Sequence, residues 1–576
     1  MMPSSRFAPR RAAFAVLAAF LLQAPAALAQ PLPSPVEPSR SFERRPLPEF
    51  QREPAAPGLV LPPAPAPGGG AALSSGARVK VTRFRIVGNT AYSEDMLRGL
   101  IAGYEGREVG NEELEEARAQ LTQHYIANGY INSGALIPDQ QVLDGVVTLR
   151  IIEGRLTGIA VAGENGFRRE FVADRLHPDP GELLNMATLQ ERMQVLLLNP
   201  QVERINAEIG PGVRPGEAVL NVDLKEAPSR ELGFALANNR SPSIGALRHE
   251  LRGALRNLLG RGDELTLRGD STEGLDDYAV MFSVPVSARD AVLWVRAEKS
   301  DSVVLESPFD ILSIEARTTA VELGIRQPFY RTPSRELTLG AALSRRHTET
   351  FLLGSSFPFS PGLADGKNTV AALRLSADFL DRTPERVSAA RLGLNLGLAA
   401  FGSTVLQGFP DSRFVSLLAQ LQLVQRLAQG AGQLLLRFDL QAANDSLPAS
   451  EKFSLGGAES VRGYRENRLV RDTGWAGSIE YRHRIAQLAL GSSENSPEQG
   501  AISVAPFVDA GRARDRNGVS PGPRALSSVG LGLRWDVAPG VLMAIYRGVP
   551  LHKLEGRRND LQDRGVHFKF TVQHAF

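Results

Sequence analysis

Phe453-Ser454-Leu455-Gly456-Gly457-Ala458-Glu459-Ser460-Val461-Arg462-Gly463-Tyr464 joins two stretches that read as strands, yet it does not read as a hairpin turn. Within it stand three glycines, one arginine and one tyrosine. Glycine reaches φ > 0 and lets backbones approach closely. A connection this long without regular structure is either disordered or functional. Disordered segments are polar and poor in apolar residues, so this composition argues for order. What flanks the stretch then decides the fold.

On both sides the sequence alternates. Leu337, Leu339, Ala341 and Leu343 interleave with Glu336, Thr338, Gly340 and Ser344. Leu392, Leu394, Leu396 and Leu398 interleave with Gly393, Asn395 and Gly397, and Val529, Leu531, Leu533 and Trp535 with Gly530, Gly532 and Arg534. Apolar-out, polar-in segments of about ten residues are the signature of a transmembrane β-barrel. A half-buried soluble sheet gives the same local pattern, so number and spacing must decide. About sixteen such segments fall between 230 and 576, an even number, as single-chain outer-membrane barrels require. Strands are expected near 317–326, 335–347 and 369–380 among others. The connections mostly alternate short, as at 287–290 and 538–540, and long, as at 300–316 and 442–474. Two break the rule, a short first external connection and a long turn at 485–500. The fold class is therefore a transmembrane antiparallel β-barrel over 229–576, with its amino-terminal domains and carboxyl end on one side.

The part before the barrel is built differently. Arg6, Arg10 and Arg11, the apolar run Ala12 to Leu22 and the small-x-small site Ala27-Leu28-Ala29 follow the order of a secretory signal peptide over 1–29. No later stretch reaches the roughly 20 apolar residues of a spanning helix. Residues 30–78 form a Pro-rich linker of partly extended character. Residues 79–226 read as two passes of a β-α-α-β-β unit, split here as 79–155 and 156–228. In the first, Val79–Val87 alternates as one strand, Ser93 precedes a helix, and Asn111 caps a second helix with Leu114, Ala117, Leu121 and Tyr125 on one face.

These features together carry a family resemblance. Val461-Arg462-Gly463-Tyr464 looks like the loop-tip motif of the two-partner-secretion transporters of the BamA–TpsB superfamily (the ShlB/FhaC/HecB type). Phe507-Val508-Asp509-Ala510-Gly511 resembles that family's F-x-D-x-G motif, and the repeated α+β unit resembles its periplasmic POTRA domain. The resemblance implies a sixteen-stranded outer-membrane barrel behind two POTRA domains. It further implies a pore that recognises an unfolded exoprotein partner in the periplasm and secretes it. It implies that Asp509 points into the lumen and pairs with Arg462. Strand parity agrees, since Phe507, Asp509 and Gly511 share one face. Family members often carry a short plug helix before the first POTRA domain; Pro46 and Pro48 interrupt the place for one here. Phe576, with Phe570 and Phe568 on the same terminal strand, resembles the signal read by the barrel-assembly machinery. Asn257-Leu258-Leu259-Gly260-Arg261-Gly262-Asp263 is similar to a family turn, but a generic Gly-Asp hairpin explains it equally well, and it is assigned no role.

Composition excludes several classes. Over 576 residues the net charge is +2, without the basic excess of a nucleic-acid protein. Cysteine is absent, which removes disulfides and Cys-based metal sites. There is no serine elbow, zinc-protease motif or phosphate loop, so neither an enzyme nor a cofactor is expected. Outer-membrane lipids, the barrel-assembly machinery and the exoprotein are the expected partners. Two alternatives stay open, a general barrel insertase and, less favoured, a barrel hydrolase or passive porin.

Overall fold

The computed structural model describes residues 58–60 and 78–576, apart from 164–165, 408–409, 428–431, 489–498, 518–519, 521, 553 and 555–558. The expected signal peptide, most of the linker and the place for a plug helix lie outside these residues.

Sixteen antiparallel strands close into a barrel. In chain order they are Arg230–Ala237, Arg248–Arg256, Glu264–Thr272, Leu275–Pro285, Val292–Val303, Glu315–Arg331, Arg335–Leu352 and Lys367–Arg382, then Arg386–Leu398, Val415–Arg426, Gly432–Ala443, Thr473–Gln487, Ala501–Arg514, Ala525–Ala538, Val541–Pro550 and Val566–Ala575. A two-residue strand, Ser355–Ser356, folds back on the seventh. The first strand pairs with the sixteenth from Glu231↔Ala575 to Ala237↔Lys569. The backbones of Arg230 and Phe576 exchange hydrogen bonds at the end of this seam.

The burial pattern is that of a globular protein turned inside out. Leu251, Leu267, Leu323, Leu392, Leu421 and Leu531 stand exposed on the outer face, while Asp270, Asp277, Asn395, Gln441 and Asp509 are buried within. Such an apolar exterior belongs in lipid. The sixth and seventh strands run well past their expected ends, at Glu315–Arg331 and Arg335–Leu352. On the seventh, polar inward residues such as Thr348 and Thr350 continue the ladder beyond the apolar band, and on the sixth the strand runs on through Pro328 with a bulge before Tyr330, at a residue that normally ends a strand.

The first α+β unit has a three-stranded sheet in the order Arg83–Val87, Val146–Ile152, Gly134–Leu136, packed on helices Glu94–Leu100 and Asn111–Ala127. Its core includes Phe84, Ile86, Leu97, Leu121, Tyr125 and Leu149. Two local expectations change. The stretch Val79–Val87 is not one strand: Val79–Val81 pairs with Arg107–Val109, and Arg83–Val87 pairs with Val146–Arg150. The break falls at Thr82, whose amide and that of Arg83 both donate to the Gly145 carbonyl. Asn111 is the first helical residue, not the cap; Gly110 caps, its amide donating to the Glu113 carboxylate at 2.8 Å. Glycine does so without a side-chain acceptor.

The second unit repeats the plan, with strands Arg155–Ala162, Val202–Pro211 and Glu217–Glu226 and helices Arg169–Leu176 and Met186–Leu197. A fourth strand joins its sheet. Gly58–Val60 of the linker pairs in parallel with Asn206–Glu208 at the sheet edge.

The turn 257–263, given no role from sequence, is the joint between this unit and the barrel. Asn257 and both Gly260 and Gly262 adopt positive φ. The Arg168 amide donates to the Gly260 carbonyl at 2.7 Å and its Nε to the Leu259 carbonyl at 2.9 Å. Asn257 Nδ2 donates to Glu226 at 2.7 Å, and a Cβ on Gly262 would lie 3.0 Å from the Phe171 ring. Nearby, Arg175 reaches Asp290 in the next periplasmic turn at 2.7 Å. The second α+β unit is therefore held on the rim by these side-chain contacts and by a close backbone approach at Gly260, where a Cβ would fall 2.8 Å from the Gly166 carbonyl.

Candidate functional site

The connection between the eleventh and twelfth strands turns back into the lumen. Phe453–Leu455 pairs with Leu469–Arg471 as a small sheet of its own. Phe453, Leu455, Val461, Tyr464 and Leu469 form a core with Ala476, Ala513 and Leu526 of the barrel wall. This explains the mixture of glycine and apolar residues in the stretch. Gly456, Gly457 and Gly463 have φ of 108°, 104° and 99°, a region that residues with a Cβ rarely enter.

At the tip, Arg462 meets Asp509. The Arg462 amide and Nε both donate to Asp509 Oδ2 at 2.9 Å, and Nη2 donates to Oδ1 at 2.8 Å. Nη2 also reaches Ser478 Oγ at 3.0 Å, and Nη1 pairs with Glu480. The guanidinium carbon sits 3.6 Å from the centre of the Phe507 ring and 5.0 Å from that of Tyr546. Asp509 is fully buried and Arg462 is 7% exposed. A planar fork gripped bidentately by a carboxylate and stacked on an aromatic face is fixed in position and orientation.

The residues of the two motifs come together in this arrangement. Phe507 stacks on Arg462, Asp509 grips it, and Gly511 leaves room for the loop: a Cβ there would fall 2.8 Å from the Trp475 carbonyl and run into Leu455. Val461 is buried, and the Tyr464 hydroxyl donates towards the Ser527 and His552 carbonyls at 3.1 and 3.0 Å. Ser478, Glu480 and Tyr546 were not anticipated. Inward parity on the twelfth strand would have found Ser478 and Glu480, which share the face of Ala476 and Arg482. A further anchor was also unforeseen: Glu451, buried in the same connection, accepts from Arg374 of the eighth strand at 2.7 and 3.2 Å. The loop is thus tied to the wall at two well-separated strands, the eighth and the thirteenth.

Phe576, Phe570 and Phe568 lie elsewhere, on the terminal strand. Phe570 pairs with Leu236 and Met543, and Phe568 with Ile545, on the lipid face. Among the described residues no His, Cys, Asp and Glu group is arranged to hold a metal ion.

The family described as haemolysin secretion/activation protein ShlB/FhaC/HecB matches residues 216–535, more than half of the chain, and the POTRA domain of ShlB type matches 79–154. An outer membrane transporter CdiB from Dickeya dadantii is 23% identical over 413 residues, 66% of this chain and 68% of the relative. A heme/hemopexin transporter protein HuxB from Haemophilus influenzae is 22% identical over 437 residues, 72% of this chain and 74% of the relative. The solved structure of CdiB from Escherichia coli superposes with a TM-score of 0.65 at 19% identity, covering 89% of this chain and 94% of that one.

Proposed function

The chain belongs to the haemolysin secretion/activation protein family ShlB/FhaC/HecB, and from that premise we propose that the Arg462–Asp509 contact is the lock of its secretion pore. The protein is an outer-membrane transporter of two-partner secretion, with POTRA domains on the periplasmic side. The observation that carries the lock is one guanidinium held by an amide-assisted bidentate carboxylate inside the lumen. A folded loop at that position stands in the path of an extended polypeptide. It undocks when the client passes and redocks afterwards.

The client is an unfolded exoprotein taken up by the POTRA units. It adds a strand to a sheet edge, with main-chain hydrogen bonds supplying affinity. In support, the edge of Val202–Pro211 accepts an extended segment of the linker in this way. The pore works without catalysis, driven by folding of the client outside. Phe576, Phe570 and Phe568 form the terminal strand signal for the barrel-assembly machinery.

Arg462→Lys tests the lock. Lysine keeps the charge but cannot fork onto a carboxylate. Secretion of the co-expressed exoprotein should fall while barrel levels in the outer membrane hold. Full secretion by this variant would speak against a lock.

A further inference from the structure

The loop tip makes contacts that a lock on Asp509 does not require. Arg465, three residues along, donates from Nη1 to both Glu306 oxygens at 2.9 and 3.1 Å, and from Nε and Nη2 to Asp563 at 2.8 Å each. Glu306 belongs to the external connection after the fifth strand, and Asp563 to that after the fifteenth. The Glu466 amide donates to Gln562 Oε1 at 2.8 Å. Gln562 is fully buried and donates from Nε2 to the Asn238 and Arg240 carbonyls at 2.7 Å each, just beyond the first strand. Residues 462–466 therefore tie the wall of the thirteenth strand to two external connections directly, and through Gln562 to a third.

Exposed ion pairs usually contribute little. This one differs in geometry, because a single guanidinium serves two carboxylates through four contacts, with Asp563 8% exposed at its side chain. A chain of three residues spans at most about 10 Å. Arg462 and Arg465 therefore cannot travel independently: a larger displacement of the tip releases both.

We propose that Arg465 is the latch of the outer mouth, a positioning residue that holds the connections bearing Glu306 and Asp563 over the pore while the loop is docked. Undocking the loop and opening the exit are then one movement. This rests on reading the loop as a movable gate.

The test is single-channel conductance of the purified full-length protein in planar bilayers, without exoprotein. Arg465→Ala, the double variant Glu306→Gln/Asp563→Asn and, as reference for the gate, Arg462→Ala are compared with the unmodified protein. Arg465→Ala and the carboxylate variant should each raise the open fraction at least about tenfold, the fold-change of losing even one of the four charge-assisted contacts. Combining them should add nothing further. Opening by Arg462→Ala without opening by Arg465→Ala or the carboxylate variant overturns the latch and spares the gate. Closed pores in all three overturn the gate, and the latch with it. Should Arg465→Ala fail to assemble, the near-isosteric carboxylate variant decides alone, and unchanged conductance there rejects the latch.

Discussion

The backbones of Gly463 and Gly548 pass each other in contact, so that a Cβ on Gly548 would lie 2.6 Å from both the Arg462 carbonyl carbon and the Gly463 nitrogen. The loop tip thus rests on the fifteenth strand as well as on Asp509. Gly548→Ala should push the tip off the wall, with an overpacking cost of about 1–3 kcal/mol. Protease added outside the cell should then cut the 444–472 connection faster than in the parent. Equal protection would mean that the contact does not hold the loop.

At the other end of the barrel, Asn257 Oδ1 accepts the Gly262 amide at 3.0 Å while its Nδ2 holds Glu226. Asn257→Ala should lose both contacts, at a cost of about 1–3 kcal/mol, and loosen the second α+β unit from the rim. Spin labels placed on helix Met186–Leu197 and on the turn 332–334 should report a broader distance distribution. An unchanged distribution would remove this turn from the joint.

Glu153 organises the first POTRA unit. Its carboxylate accepts from the Thr90 and Ala91 amides at 2.6 and 2.8 Å and from the Tyr125 hydroxyl at 3.0 Å. Burial pushes its pKa up, but these hydrogen bonds outweigh that and hold it below the usual glutamate value, while burial and Glu153 push the Tyr125 hydroxyl up. A depressed carboxylate stabilises the fold above its unfolded pKa of about 4.3, and that contribution is lost as pH falls through the lower folded value. Hydrogen exchange over 84–91 should rise in Glu153→Gln at pH 7, and the gap from the parent should close in acid. A gap that persists at low pH would contradict the assignment.

How much of this was legible in the sequence depends on the kind of contact. Alternation gave the barrel, since Leu339 and Thr338 must face opposite sides of one strand. Parity put Asp509 inward, and the motif resemblance supplied Arg462. The turn 257–263 looked generic because its partners, Arg168 and Phe171, lie far off in the chain. Its glycines are explained only by what approaches them. Glu451 and Arg374, like Arg465 and Glu306, are ordinary charged residues until the loop folds inward, and no local spacing distinguishes them. Val79–Val87 reads as one strand only if the phase of its alternation is ignored: Val79 and Val81 stand at odd positions, Phe84 and Ile86 at even ones, and the slip falls at Thr82–Arg83, where the pairing changes partner.

The terminal phenylalanine offers a separate check. Phe576 closes the seam through its backbone, donating to the Arg230 carbonyl at 2.9 Å and accepting at 3.2 Å. Removing it should reduce the amount of folded, heat-modifiable barrel in the outer membrane several-fold, as roughly two net hydrogen bonds are lost along with the proposed assembly signal. Phe576→Tyr, which keeps the aromatic and the backbone, should restore the level. Normal barrel levels in the truncated chain would dismiss the signal.

On the proposed lock, Arg462 and Asp509 act as one unit. Losing one partner of a buried pair costs about 3–5 kcal/mol because the other charge is stranded, and a wet lumen reduces that figure. The direct measurement is exoprotein secretion by Arg462→Ala, Asp509→Ala and the double variant at matched barrel levels. Similar defects are expected in the two single variants, with a double variant little worse than either. Defects that multiply in the double variant would contradict it.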